Sequence, residues 1–157
     1  MDALAAVAAA NAVDAVASTC LRFKSSSTTV LTESMGLLYT LLASSVVMET
    51  HFSSPASPVV ALCCELLPLY ASDAGLISNV LDLLSRLAPE KYPCFASVAT
   101  VRSLINVMQR CAADPAILMT ATSILLKLLA VTPDCAQVHG RLLVFVELEY
   151  LYASYQY

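Results

Sequence analysis

Cysteine is the residue type in this chain best suited to chemistry, and the six cysteines are Cys20, Cys63, Cys64, Cys94, Cys111 and Cys135. None forms a C-x-x-C pair. Zinc needs four ligands converging within about 2.0–2.3 Å of one point, whereas Cys94 and Cys135 recur at equivalent places in a repeat and would be separated by one layer of a stack. Cys63 and Cys64 adjoin Glu65, but helical spacing turns Cys63 inward and no neighbour would lower a thiolate pKa. Buried, reduced core thiols are the expectation, with a reducing cytoplasmic compartment. The two histidines, His51 and His139, have no acid, serine or cysteine at a spacing that makes a catalytic partner, so loop or capping roles are expected. Gly36, Gly75 and Gly140 stand singly, which leaves no phosphate-cradling loop. No catalytic residue, metal or cofactor is expected. The chemistry to look for is binding.

The elements that would position a binding surface repeat. A shift of 41 residues lays Asp73 on Asp114, Leu76 on Ile117, Val80 on Ala121, Leu83 and Leu84 on Ile124 and Leu125, Arg86 on Lys127, Leu87 on Leu128 and Cys94 on Cys135. The match runs on through Val101 on Leu142, Leu104 on Phe145, Ile105 on Val146 and Val107 on Leu148. A helical pattern with a period of about 40 residues predicts stacked units, each burying its apolar face against its neighbours. One domain, 1–157, is expected, with an alanine-rich helix and Ser/Thr loop in 1–31 and units at 32–72, 73–113 and 114–154.

Composition raises the question of what covers the surface. The chain is 59% hydrophobic and 13% charged, with a mean hydropathy of +0.75, against roughly 25% charge in an ordinary soluble domain. Either partners cover much of it or it is a small polytopic membrane protein. The longest uncharged stretch within a helical pattern, Ser34 to Met48, falls short of the roughly 18 residues that span a bilayer, which makes a membrane location the less favoured reading. Asp2 and the weakly apolar alanine run that follows do not read as a secretory signal, and the acids preceding Arg22 argue against a transit peptide. Eight Lys and Arg scattered in a chain of net charge −4 make no basic stripe for nucleic acid.

In chain order, the first helix is expected over about 2–23, with Leu4, Val7, Ala8, Val13, Val16 and Cys20 as an approximate apolar stripe. A polar loop follows at 25–29. The second helix is expected over 32–51 with Leu37, Leu38, Leu41 and Leu42 inward, ending at the Ser and Pro cluster 53–58. Pro58 opens a third, reaching about Ala71 with Val59, Leu62, Cys63, Leu66 and Leu67 inward and Pro68 kinking or ending it. Asp73-Ala74-Gly75 reads as a turn into a fourth over 76–88, followed by a connector, 89–95, with room for one helical turn. A fifth is expected over 98–112. Asp114-Pro115 starts a sixth that runs to Val131, and a last helix begins near Leu142. Leu83, Leu84, Leu87, Leu104, Ile105, Ile124, Leu125 and Leu128 are the expected core.

Gly140 to Leu148 and Ala99 to Met108, with Pro58 to Leu66 as a weaker copy, resemble the second helix of an armadillo repeat, and Val80 to Ala88 and Ala121 to Leu129 resemble its third. HEAT-type repeats fit the same spacing. The resemblance covers about residues 32–154. It implies an all-α, right-handed α-solenoid of about three to four repeats, serving as a scaffold for protein–protein interaction within a larger assembly. In armadillo nuclear-import receptors the third helices line a groove where a Trp, and an Asn four residues later, hold basic peptides. By pattern the Trp places are taken by Tyr39, Asp82 and Ser123, and the Asn places by Ala43, Arg86 and Lys127. That array is absent, and two basic residues would repel a basic ligand.

Single charges usually lie on the solvated side of a helix. Repeating Arg86 and Lys127 at equivalent positions, however, makes a two-point acceptor for an acidic or phosphorylated protein segment. Tyr150, Tyr152, Tyr155 and Tyr157 supply amphipathic area of the kind enriched at interfaces, so this end of the chain is expected to dock onto a second copy or a different subunit.

Overall fold

The structure is a computed structural model that describes residues 3–25, 27–43 and 57–131. Its six α-helices among these residues are α1 (Ala3–Phe23), α2 (Thr28–Leu41), α3 (Pro58–Leu69), α4 (Ala74–Ser85), α5 (Val98–Arg110) and α6 (Pro115–Val131), with a 3₁₀ turn at Pro89–Lys91 before α5. No strand occurs among the described residues.

Short polar side chains set most of the helix starts. Ser27 accepts from Val30 N, Asp73 from Leu76 N and Ser97 from Thr100 N, while Asp114 Oδ1 accepts from both Ala116 N at 3.0 Å and Ile117 N at 3.2 Å. Each satisfies amides that a first helical turn leaves without partners. These caps correct two boundaries. The loop expected at 25–29 already belongs in part to α2, because Ser27 caps a helix that starts at Thr28. Asp73-Ala74-Gly75 is likewise a cap and first turn, and α4 stops at Ser85, three residues before the expected end. Replacing Asp73 or Asp114 by Ala is expected to cost about 1 kcal/mol each, read as a lowered urea midpoint with an unchanged slope; no shift would show that packing alone fixes these starts.

Pro68 lies exposed in the last turn of α3, and the helix ends one residue later at Leu69, short of the expected Ala71. Hydroxyls inside helices turn back onto the preceding turn, as Thr32 Oγ1 does to Thr28 O and Thr40 Oγ1 to Gly36 O, both at 2.9 Å. That lets a Thr-rich segment stay helical.

The helices form two layers. α1, α3 and α5 adjoin in that order, α2, α4 and α6 adjoin in the other layer, and α1 with α2, α3 with α4 and α5 with α6 pair across them. Side chains bridge from one pair to the next near the sequence period. Lys24 forms an ion pair with Glu65, 41 residues on; Cys111 Sγ donates to Ala71 O at 3.4 Å, 40 residues back; and Lys127 Nζ donates to Ser85 O at 2.8 Å, 42 residues back.

One continuous apolar core lies between the layers. Leu83, Leu84, Leu87, Leu104, Ile124, Leu125 and Leu128 are buried as expected, and so are Val59, Leu62, Cys63, Leu66 and Leu67. Ile105 is only half-buried, at the edge of the α5 stripe. In α2 the inward residues are Leu31, Met35, Leu38 and Leu42, whereas Leu37 is 48% exposed and Leu41 half-buried. The helix starts earlier than expected, and its stripe follows i, i+4, i+7, i+11 from Leu31. In α1, Val13, Ala17 and Cys20 are buried and Val16 is half-buried; the side chains of Leu4, Val7 and Ala8 lie outside the described residues.

Candidate functional site

The layer α2, α4, α6 carries the candidate binding residues. Tyr39 stands in the last turn of α2 and Arg86 caps the end of α4, and the Arg86 guanidinium lies over the Tyr39 ring at 4.1 Å from its centroid. A guanidinium in that position gains from the ring's negative face while its edge donors stay free for a planar anion. Lys127 reaches from α6 to the Ser85 carbonyl, the last residue of α4. Its ammonium therefore answers one of the carbonyls left open at a helix C-terminus, where positive charge is favoured by the helix dipole. Arg86 and Lys127 thus meet at the same end of α4, and both are exposed.

The other sequence-derived candidates divide. Asp82 is half-buried one turn before Arg86, and Ser123 is exposed one turn before Lys127, so the structure keeps both on the helices that carry the two cations. Among the described residues Arg86 has no carboxylate partner, since the ion pair found there is Lys24 with Glu65. Tyr150, Tyr152, Tyr155 and Tyr157, together with His51, His139 and Cys135, lie outside the described residues.

Comparing equivalent positions shows which faces the neighbours cover. On α4, Leu76, Ile77, Val80, Leu81, Leu83 and Leu84 are buried; on α6 the matching Ile117, Ala121, Ile124 and Leu125 are buried, but Leu118 and Thr122 are only half-buried. On α3, Leu62 and Leu67 are buried, and their counterparts on α5, Ser103 and Met108, are half-buried. The α3 and α4 helices each have a neighbour on both sides within their layer, whereas α5 and α6 have one among the described residues. Met119 and Leu126, 75% and 63% exposed, add large apolar side chains to the outside of α6.

Sequence reasoning missed a second feature, an open cavity of about 690 Å³ at the turn between α3 and α4, with Asn106 and Arg110 of α5 on its far wall. Arg110 is held across it, its Nη1 donating to Ser72 Oγ and its Nε to Asn106 Oδ1, both at 3.3 Å. Only the cation in the last turn of α5 hinted at it.

The thiols are not uniformly buried. Cys20, Cys63 and Cys111 are in the core, Cys64 is half-buried, and Cys94 is exposed in the connector; the expectation of a core thiol fails for Cys94, because the connector turns it outward while burying Tyr92 and Phe95. Burial pushes the Cys20 and Cys111 thiols up, and it does so strongly for Cys63. Burial, followed by the neighbouring Cys94, pushes Cys64 up to about 12. None of these four is tuned as a nucleophile at neutral pH. No group of three or more His, Cys, Asp or Glu among the described residues is placed to hold a metal ion.

No protein-family model matches this sequence, and no curated protein or solved structure matches it. No helix among the described residues is long and apolar enough to cross a membrane.

Proposed function

We propose that this chain is a non-enzymatic helical-repeat scaffold of armadillo or HEAT-like type, working in the cytoplasm as a subunit of a larger protein assembly. The observation that carries the reading is the pattern of burial at equivalent positions. A helix pair with neighbours on both sides buries Leu62, Leu67, Ile77 and Leu81, and the next pair leaves Ser103, Met108, Leu118 and Thr122 half-buried. Such dependence on the adjoining unit is how a stacked array behaves. The bridging side chains, spaced 40 to 42 residues apart, support the same reading.

The partner-binding element is the stripe Tyr39, Arg86, Lys127, flanked by Asp82 and Ser123, and its ligand is an acidic or phosphorylated segment of another protein. Arg86 is the principal contact, because Tyr39 orients its guanidinium and leaves its edge open, whereas Lys127 already has one donor on Ser85 O. The test uses a fluorescent peptide containing glutamate and phosphoserine, titrated against the wild-type chain and against Arg86→Glu with Lys127→Glu. Loss of at least about tenfold in affinity is expected, since a charge-assisted hydrogen bond contributes about 1.5–3 kcal/mol. Circular dichroism should stay unchanged. Equal affinity of the two chains would return both residues to ordinary solvated charges.

A further inference from the structure

Two of the cysteines converge although 30 residues and the whole of α4 separate them in the chain. Cys64 lies on α3, and Cys94 lies in the connector between the 3₁₀ turn and α5. The buried Thr100, in the first turn of α5, places its hydroxyl oxygen 3.2 Å from the Cys94 carbonyl oxygen and 3.9 Å from the Cys64 sulfur. Ser97, which caps α5, also donates to the Cys94 carbonyl, at 3.1 Å, so two hydroxyls fix the connector to the start of α5 while Thr100 reaches across to α3. One hydroxyl, Thr100 Oγ1, thereby touches both the Cys64 sulfur and the Cys94 backbone, which sets the two residues beside each other. Cys63 points elsewhere: adjacent residues on a helix are about 100° apart, and its sulfur is fully buried with Cys20 of α1 as a neighbour.

We propose that Cys94 and Cys64 form a reversible dithiol–disulfide site, in which Cys94 reacts with a small-molecule disulfide such as glutathione disulfide and Cys64 then resolves the adduct. In the first step the Cys94 thiolate attacks one sulfur of glutathione disulfide, forming a protein–glutathione bond and releasing one glutathione thiolate. In the second the Cys64 thiolate attacks the Cys94 sulfur, the Cys64–Cys94 bond forms, and the second glutathione leaves. The two protein thiols give up two protons and two electrons, and both appear in two molecules of glutathione. The exposure of Cys94 makes it the entry point. The half-burial of Cys64 makes it the slower resolving thiol, because exchange needs the thiolate. The closed bond would tie the connector to α3 and fix α5 against it.

The charged and titratable groups near Cys64 are its chain neighbours Cys63 and Glu65 and Cys94 from the connector, with the Thr100 hydroxyl against its sulfur, and Lys24 of the α1–α2 connection holds Glu65 in an ion pair. Over pH 7 to 9 closure of the preformed adduct is expected to accelerate about tenfold per pH unit, following the Cys64 thiolate.

The experiment incubates the reduced full chain with glutathione disulfide under native conditions, followed by acid quenching and non-reducing tryptic mapping. Cleavage after Arg86, Lys91 and Arg102 separates Cys94, in the peptide 92–102, from Cys63 and Cys64. The expected product is a cross-link between these peptides that persists in Cys63→Ser, becomes a stable glutathione adduct on Cys94 in Cys64→Ser, and disappears in Cys94→Ser. An adduct on Cys94 that never closes in the wild type overturns the proposal, as does a link surviving in Cys64→Ser or a closing rate independent of pH. Labelling of Cys20 or Cys111 as fast as Cys94 overturns it too, since the chemistry would then belong to the unfolded chain.

Discussion

Leu125→Ala is expected to destabilise the chain by about 2–5 kcal/mol, whereas Leu126→Ala, one residue on, changes stability by less than about 0.5 kcal/mol. Leu125 is 3% exposed and belongs to the core stripe of Ile117, Ala121, Ile124 and Leu128; Leu126 is 63% exposed. Removing the first side chain leaves a cavity that close-packed neighbours fill only in part, so the lost transfer energy and the cavity add. The pair makes the comparison strict, because helix propensity changes equally at both sites and only burial differs. Urea melts of the two variants with a common slope measure it. Equal midpoints would mean that α6 packs in a different register. A large loss at Leu126 alone would instead mean that its outer face is covered in solution.

Phe95→Ala is expected to cost about 3–5 kcal/mol, comparable to the largest loss from any helix, although Phe95 sits in a connector. It is fully buried, as Tyr92 nearly is, and the 3₁₀ turn just before them packs on α6. Phe95 N donates to Tyr92 O at 3.0 Å and Ala96 N to the same carbonyl at 2.9 Å, so the chain folds tightly between the two aromatic anchors. The anchors hold Cys94 facing outward and set Ser97 at the start of α5. Phe95→Leu should recover most of the loss, since it keeps apolar volume at the site. A loss below about 1 kcal/mol for Phe95→Ala would show that the connector is a passive link.

Much of the helical framework was legible because its signals are local. Asp114-Pro115 placed the start of α6 at the observed residue, since an N-cap acceptor followed by a ring with fixed φ is favourable in that order alone. Apolar spacing identified Leu83, Leu84, Leu104, Ile124 and Leu128 as core. It failed in α2, where a run of apolar residues supports more than one stripe and the start decides which turns inward; Ser27 moved that start, and Leu37 went out while Leu31 and Met35 went in.

The proposed binding stripe was half legible. Equivalence under a 41-residue shift marked Arg86 and Lys127 as a related pair. It did not reveal that Tyr39 stacks under Arg86 or that Lys127 reaches Ser85 O, because both contacts cross between helices more than 40 residues apart in the chain.

The sequence by itself determined an all-α framework over the described residues, the Asp114 cap and most of the inward faces, because propensity, capping and periodicity act over a few residues. Tertiary structure alone decided which thiol is exposed, which cations share one helix end and that Phe95 is a core residue. Those outcomes depend on which helix lies beside which, and the order of the two layers follows from shape and burial over the whole chain.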